Sequence, residues 1–420
     1  MRVVFLTNFY PPYGQGGYEQ WCQEVAEGLQ SRGHSLLVLT SRHGCEKIKE
    51  PEPSWIQRKL HLEMELKSLR NGVQFFTQRH ARELENLSHL RQCINTFQPD
   101  VVLVWGMWNL AHAIPVLAEK LMPDRVIYYI GDYWPTLPSQ YEFYWQAPAR
   151  NWKTRLVKPL LKFWAVRALA HEQRPTPEFS HVLFPTIFMR DELKRMGMPT
   201  QRTEIIYAAA DTSLYIKNKC ACSPQANNKL SLLYAGRVTP DKGVHVAVEA
   251  VALLVHQYGL HNAHLKIVGA GDTDYLKQLH ELVDQKKIGA YVCFGGAQPK
   301  QNMPQIYKQA DIFLFTSIWK EPFGRVLVEA MAAGAVVVGS PTGGAAEILI
   351  HDENALTFPP GDAEALAAQV ARLVCTPKLR QKLVAVGQKM AQEKFDITRM
   401  TTEIEAYLQA IATNSHKNLV

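Results

Sequence analysis

Glu321-Pro322-Phe323-Gly324-Arg325-Val326-Leu327-Val328-Glu329 follows the apolar run Ile312-Phe313-Leu314-Phe315 and leads into Ala330-Met331-Ala332-Ala333-Gly334. The order reads as a strand, a turn and a helix. Proline just inside a helix start is favourable, and Gly334 stands where the helix would stop. Such a joint leaves free backbone N–H groups at the carboxyl end of a sheet, where they and the helix dipole attract phosphate or sugar oxygens. Glu329 is the one carboxylate among Val326, Leu327, Val328, Ala330, Met331, Ala332 and Ala333. Buried there, it needs a partner. Two partners remain open: a ribose diol donating two hydroxyl hydrogens, or a lysine or arginine in a buried ion pair.

The same grammar recurs along the chain. Leu232-Leu233-Tyr234-Ala235, Leu265-Lys266-Ile267-Val268, Tyr291-Val292-Cys293-Phe294 and Ala335-Val336-Val337-Val338 are further strand candidates, separated by helical stretches such as Val244 to Tyr258. Towards the start of the chain stand Val3-Val4-Phe5-Leu6, Leu36-Leu37-Val38-Leu39, Val101-Val102-Leu103-Val104 and Val126-Ile127-Tyr128-Tyr129. Between the first two lies a helical pattern from Gly16 to Arg32, closed by Gly33. Runs that are apolar on both faces suit parallel strands covered by helices on each side. The spacing predicts an α/β chain of two Rossmann-like, doubly wound parallel-sheet domains facing a central cleft. The expected boundaries are a first domain at 1–216, a polar linker at 217–229, a second domain at 230–394 and a C-terminal helix within 395–420 that packs back toward the first domain. Asp396 is the expected cap of that helix.

Composition bounds the class. The chain has 420 residues, 47% hydrophobic and 20% charged, as expected of a globular protein of two or three domains. No apolar run reaches the ~18 residues of a membrane span. Met1 to Thr7 reads as a first core strand, not a signal peptide. The seven cysteines are scattered. Cys220 and Cys222 lack a second pair for zinc, and reduced thiols in a cytoplasmic protein are the expectation. The formal charge of +7 is a mild bias toward anionic partners.

Two segments exceed a minimal Rossmann domain. Trp55 to Phe97 is expected to be a long amphipathic helical insertion. Asn151 to Arg174 is basic and aromatic, with Trp152, Lys153, Arg155, Lys158, Lys162, Phe163, Trp164 and Arg167. It reads either as a domain helix with a solvated basic face or as a segment lying on an anionic membrane.

Gly236-Arg237-Val238-Thr239-Pro240-Asp241-Lys242-Gly243 follows the first strand of the second half. Arg237 and Lys242 there would either be solvated in a surface turn or neutralise a diphosphate without a metal, arginine by a forked contact and lysine as a point charge. Asp272-Thr273-Asp274 has the spacing of a metal motif, but precedes a helix and reads as a cap. The Tyr13 to Gly17 loop lacks dinucleotide-fingerprint spacing.

Taken together, these stretches resemble family 4 of the glycosyltransferases, retaining enzymes of the GT-B fold. Glu321 and Glu329 match its Glu-x7-Glu signature. Gly236, Arg237, Lys242 and Gly243 match its diphosphate clamp. Pro12-Tyr13-Gly14-Gln15-Gly16-Gly17-Tyr18-Glu19 matches its glycine-rich loop, and Gly343, Gly344 and Glu347 match its Gly-Gly-x-x-Glu. The resemblance runs from residue 1 to about 395, with four motifs in order on the right elements.

The resemblance implies the following roles. Arg237, Lys242, Glu321 and Asp132 would be catalytic. Gly16, Gly17, Gly236, Phe323, Gly324, Arg325, Glu329, Gly343 and Gly344 would bind the donor. Within these, Glu321 would hold donor-sugar hydroxyls, the amides of Phe323, Gly324 and Arg325 would meet sugar and phosphates, and Glu329 would hold ribose. The first domain would be the acceptor side and the second the nucleotide-sugar side. The implied reaction moves a hexose-type sugar from a UDP- or GDP-sugar to a saccharide or lipid-linked acceptor with retention, without metal or other cofactor. The expected setting is cytoplasmic, at most peripheral on the inner membrane face through 151–174, with no nucleic-acid partner.

Two departures stand out. Glycine occupies position 131, before Asp132, where relatives often carry histidine. The family's Asn-Gly-x-Asp is replaced by Ala208-Ala209-Ala210-Asp211. Asp132 would orient acceptor or sugar, or simply form an Asx turn. The departures keep in view a weakened protein that binds nucleotide sugar or carbohydrate, and the shared architecture keeps in view a sugar-nucleotide epimerase or phosphorylase.

Overall fold

The computed structural model describes residues 1–14, 16–45, 48, 51–66, 70–149, 152–216 and 229–417. The chain divides into two compact units, one of Met1–Ile206 with Thr401–Val420 and one of Tyr207–Met400. Most of the proposed 217–229 linker, with Cys220 and Cys222, lies outside the described residues.

The first unit holds a seven-stranded sheet. Its strands are β1 (Arg2–Leu6), β2 (Ser35–Ser41), β3 (Ile56–Leu60), β4 (Val101–Val104), β5 (Val126–Tyr129), β6 (His181–Phe184) and β7 (Arg202–Ile205), in the order β3-β2-β1-β4-β5-β6-β7. Every pairing is parallel. Val3 lies opposite Leu36 on one side and Val101 on the other, so the central strands are buried on both faces. That burial is why they read as unbroken apolar runs.

The helices of this unit are α1 (Gly17–Ser31), α2 (Asn71–Thr77), α3 (Arg79–Phe97), α4 (Ala113–Leu121), α5 (Gln140–Gln146), α6 (Trp152–His171) and α7 (Ile187–Arg195). The Trp55 to Phe97 segment departs from the expected helical insertion: Ile56-Gln57-Arg58-Lys59-Leu60 forms the edge strand β3 ahead of α2 and α3. Its polar centre hid it. Arg58 is spent on Glu52 and on the carbonyls of Tyr10 and Pro11. Strands β6 and β7 also lie beyond the four strands read from sequence.

The second unit repeats the plan with six parallel strands: β8 (Leu230–Ala235), β9 (Ala263–Val268), β10 (Val292–Gly296), β11 (Ile312–Phe315), β12 (Val336–Gly339) and β13 (Ala355–Thr357). Their order is β10-β9-β8-β11-β12-β13. Helices α8 (Val244–His256), α9 (Thr273–Gln285), α10 (Met303–Lys308), α11 (Arg325–Ala332), α12 (Ala363–Cys375) and α13 (Pro377–Lys394) accompany them. Asp272 caps α9 by accepting the amides of Asp274 and Tyr275. In both units the strand order reverses beside the first strand, between β1 and β4 and between β8 and β11. Open α/β sheets bind ligands at such switch points, beyond the carboxyl ends of the strands.

The last helix, α14 (Ile397–Lys417), begins in the second unit and ends in the first. Asp396 caps it through the Thr398 amide at 2.8 Å. Glu405 pairs with Arg32 and His34, each at 2.6 Å, and the Tyr407 hydroxyl bonds Nδ1 of His181. No helix of the described residues is long and apolar enough to cross a membrane.

Candidate active site

The turn after β8 and the turn after β11 meet at the second unit's switch point. Lys242 Nζ donates to Glu321 Oε1 at 2.5 Å, and the Ser317 hydroxyl donates to the same oxygen at 2.8 Å. Both side chains of the ion pair are mostly shielded, each 14% exposed. The backbones are tied as well. Amides of Ile318 and Trp319 donate to the Asp241 carbonyl, and the Thr316 hydroxyl donates to the Lys242 carbonyl. One carboxylate and one ammonium, 79 residues apart in sequence, are thus held on a common rigid frame.

Arg237 stands exposed at the head of the first turn. Its carbonyl accepts from the Tyr234 hydroxyl at 2.7 Å. Burial pushes the Tyr234 phenol well up, Glu321 pushes it further and Arg237 draws it back, so both charges act on one ring. Gly236 donates its amide to Val268 at the end of β9.

Helix α11 starts at Arg325, three residues later than Pro322 suggests. Pro322 belongs to the turn, and Gly324 occupies the cap position with φ +119°, a conformation that leaves no side chain at that point to compete for the first amides. Phe323 is buried, with its ring 5.6 Å from that of Phe395, so only its backbone is available to a ligand. Gly343 has φ +58°, and a Cβ there would stand 2.8 Å from the Glu321 nitrogen. The Gly344 amide donates to the Glu321 carbonyl at 2.6 Å. The Gly343-Gly344 pair therefore clasps the backbone that aims Glu321.

Glu329 takes the second of its two open partners. Arg325 Nε donates to Glu329 Oε1 at 2.9 Å, one turn apart on α11, and both residues are buried. The spacing of four residues carries the signal for this pair. Ala208, Ala209 and Ala210 are fully buried, where Ala210 exchanges backbone hydrogen bonds with Phe395 and Ile397. Asp211 turns away to cap the short helical turn Thr212–Leu214.

The remaining sequence-marked residues belong to the first unit. Gly16 precedes α1 and Gly17 opens it; neither offers a side chain in the helix's approach. Asp132 is partly buried beyond β5 and accepts the Trp134 amide at 3.3 Å, an Asx turn. Burial raises its pKa to about 7, with Glu19 adding to the rise and the Trp134 amide opposing it. Tyr18 is the residue that sequence reasoning missed. Its hydroxyl lies 2.6 Å from the Trp105 carbonyl and 2.5 Å from the Tyr129 carbonyl, at the ends of β4 and β5. Its ring covers Gly131.

A cavity of about 310 Å³ also opens in the first unit, beyond β3, β4 and β5. Among its lining residues are Glu63, Arg82, His112, Tyr141 and Arg174. Arg174 donates to Nε2 of His112 at 2.7 Å, and burial followed by the Arg174 charge lowers the His112 pKa to about 3, so the imidazole is neutral. Burial raises Glu63 to about 7 despite the amide of Gln140 and the charge of Arg174. Glu63 and Arg82 come from the first of the two insertions and Arg174 from the second, while His112 and Tyr141 lie between them, and no local motif announces them.

Comparisons with known proteins give the family. Residues 15–214 match the family Glycosyltransferase Family 4, and residues 221–390 match Glycosyl transferases group 1. An uncharacterized glycosyltransferase of Methanocaldococcus jannaschii is 34% identical, covering 96% of each chain. The phosphatidyl-myo-inositol mannosyltransferase of Mycobacterium leprae is 31% identical over 44% of this chain and 48% of its own length. HepE of Anabaena, solved in complex with UDP, matches 98% of this chain and 100% of its own with TM-score 0.68 and 20% identity, a likeness of fold. The chain belongs to glycosyltransferase family 4, and its two units are the two Rossmann-like domains of a GT-B fold.

Proposed function

We propose that the protein transfers a hexose-type sugar, with retention and without a metal, from a UDP- or GDP-sugar to a saccharide or lipid-linked acceptor. The observation that carries this reading is the Lys242–Glu321 pair at the β8/β11 switch point, with Arg237 at the head of the same turn. Arg237 and Lys242 would take the diphosphate charge that a metal ion otherwise neutralises. Glu321 would accept hydrogen bonds from donor-sugar hydroxyls, and amides at Phe323 to Arg325 would meet sugar and phosphate oxygens. Glu329, oriented by Arg325, would accept hydrogen bonds from ribose hydroxyls.

In the proposed step the bond from the anomeric carbon to the diphosphate oxygen breaks as the acceptor oxygen bonds to that carbon from the same face. The acceptor proton passes to the departing phosphate oxygen. The products are glycosylated acceptor and nucleoside diphosphate, and no protein nucleophile is consumed. Gly16 and Gly17 would admit the phosphate and acceptor, with Asp132 orienting a hydroxyl. The cavity around Glu63 and Arg174 is the proposed acceptor subsite. Its mixture of carboxylate, guanidinium and neutral imidazole suits the paired donors and acceptors of sugar hydroxyls. The mannosyltransferase relative is named for a lipid, which supports keeping lipid-linked acceptors in view.

The test is a transfer assay with UDP- and GDP-sugars over an acceptor panel in excess EDTA, with the anomeric configuration of donor and product read by NMR. Acceptor-dependent release of nucleoside diphosphate with retained configuration supports the reading. Inversion, or activity abolished by EDTA and restored by a metal, contradicts it. A second reading, nucleotide-sugar binding without turnover, draws on Gly131 and would give tight binding with no release across the panel.

A further inference from the structure

Helix α6 is apolar on the wrong side. Its inward positions are modest: Ala165 is fully buried, and Leu161 and Leu169 rest against a small cluster of Phe75, Trp145 and Tyr141 that is separate from the main core. Its outward positions are larger. Leu160 is 73% exposed, Phe163 64% and Trp164 63%, with Val157 and Val166 also exposed. Val157, Leu160 and Trp164 recur at three- and four-residue steps, so they form one stripe, and Phe163 and Arg167 lie beside it. A helix folded only to cover a core puts its large apolar groups inward. An exposed stripe of this size marks a contact surface.

Charge identifies the contact. From Trp152 to His171 there is no aspartate or glutamate. Lys158 is held within the unit, donating to the Ala147 carbonyl and lying 4.2 Å over the Tyr144 ring. Arg155, Lys162 and Arg167 are exposed on the outward side. The same three-helix group exposes Val73 and Phe76 on α2 and Phe143 on α5. A second copy of this chain would bring like charges together. Single-stranded nucleic acid would use the two aromatic rings but gain nothing from Leu160, Val157 and Val166. Aliphatic and aromatic groups flanked by cations match the boundary between acyl chains and anionic head groups.

We infer that α6 seats the protein on an anionic lipid surface, its Val157–Leu160–Phe163–Trp164 face entering the head-group boundary while Arg155, Lys162 and Arg167 meet lipid phosphates. The inference stands independently of sugar transfer. The test is co-sedimentation of the full chain with vesicles of phosphatidylcholine alone or with 30% (about one lipid in three) phosphatidylglycerol. Binding is expected only to the anionic vesicles. It should fall at least about ten-fold in Leu160→Ser/Phe163→Ser/Trp164→Ser, and about five-fold for each of Lys162→Glu and Arg167→Glu, from about 1 kcal/mol per cation near the surface. Thermal unfolding in solution should stay unchanged, since these side chains face outward. Failure to pellet with anionic vesicles, or equal pelleting of the triple variant, overturns the inference. So does finding that the same substitutions abolish self-association or RNA binding while vesicle binding persists.

Discussion

The ring of Tyr18 occupies the space into which a side chain at Gly131 would grow: a Cβ there would stand 2.7 Å from Cε2 and 2.9 Å from Cδ2 of that ring. The glycine that departs from the family's histidine is therefore the complement of a tyrosine in the glycine-rich loop. The two positions form one packing unit at the ends of β4 and β5. Gly131→Ala should cost about 1–3 kcal/mol by overpacking, read as a shift in the denaturant midpoint. In a Tyr18→Ala background the same change should cost almost nothing. Equal costs in both backgrounds would show that the ring is not the obstacle.

Asp132 and Glu63 should tilt the stability profile near neutrality. Both carboxyls are raised to about 7 in the folded chain, while the unfolded chain releases their protons near pH 4. Between those values the native state binds more protons than the unfolded one, so stability falls as pH rises from about 4 to 7 and levels off above. Asp132→Asn should reduce the slope in that window, and Glu63→Gln should reduce it further. Chemical denaturation at half-unit pH steps checks this; an unaltered slope in the double variant would count against buried protons at these sites.

Arg325→Ala should strand the buried Glu329 carboxylate and cost about 3–5 kcal/mol, far more than truncating the neighbouring Val326. Replacing both members, as in Arg325→Leu/Glu329→Leu, should recover most of that stability yet leave nucleotide-sugar affinity low. Denaturation and calorimetric titration together separate the structural partner of Glu329 from its proposed ribose role. Restored binding in the double variant would leave only the structural one.

Gly343→Ala should weaken donor binding without touching a ligand. The substitution brings a Cβ into a φ of +58° and against the backbone at Lys320 and Glu321. The expected result is a modest loss of thermal stability, about 1 kcal/mol or more, with a larger loss of UDP-sugar affinity. An unchanged affinity would mean that Glu321 is aimed by something other than this clasp.

The central strands of both sheets were legible because burial on both faces leaves unbroken apolar runs, and the joints that follow β8 and β11 were legible as glycine-bearing turns. The edge strand β3 was not, because it carries Gln57, Arg58 and Lys59 where one side meets no further strand, whereas the edge strand β10 was legible through the apolar Tyr291, Val292 and Phe294. The start of α11 was misjudged because Pro322 serves the turn, whereas Gly324 sets the cap. Of the site, the Lys242–Glu321 pairing follows from strand order, which sequence alone does not fix. The Arg325–Glu329 pair was written in its four-residue spacing. The cavity around Glu63, His112 and Arg174 gave no signal, because three distant segments meet there through packing alone.

Calorimetric titration of UDP, GDP and UDP-glucose into the full chain and into Arg237→Ala/Lys242→Ala tests the donor site most directly. One nucleotide should bind per chain, and the double variant should lose affinity at least about a hundred-fold, as expected when two charge-assisted contacts of ~1.5–3 kcal/mol each are removed. Its thermal unfolding temperature should fall because Lys242→Ala leaves the shielded Glu321 without its cation, whereas Arg237→Ala alone should leave unfolding unchanged. Equal affinity in the two proteins would place the nucleotide elsewhere and contradict the account.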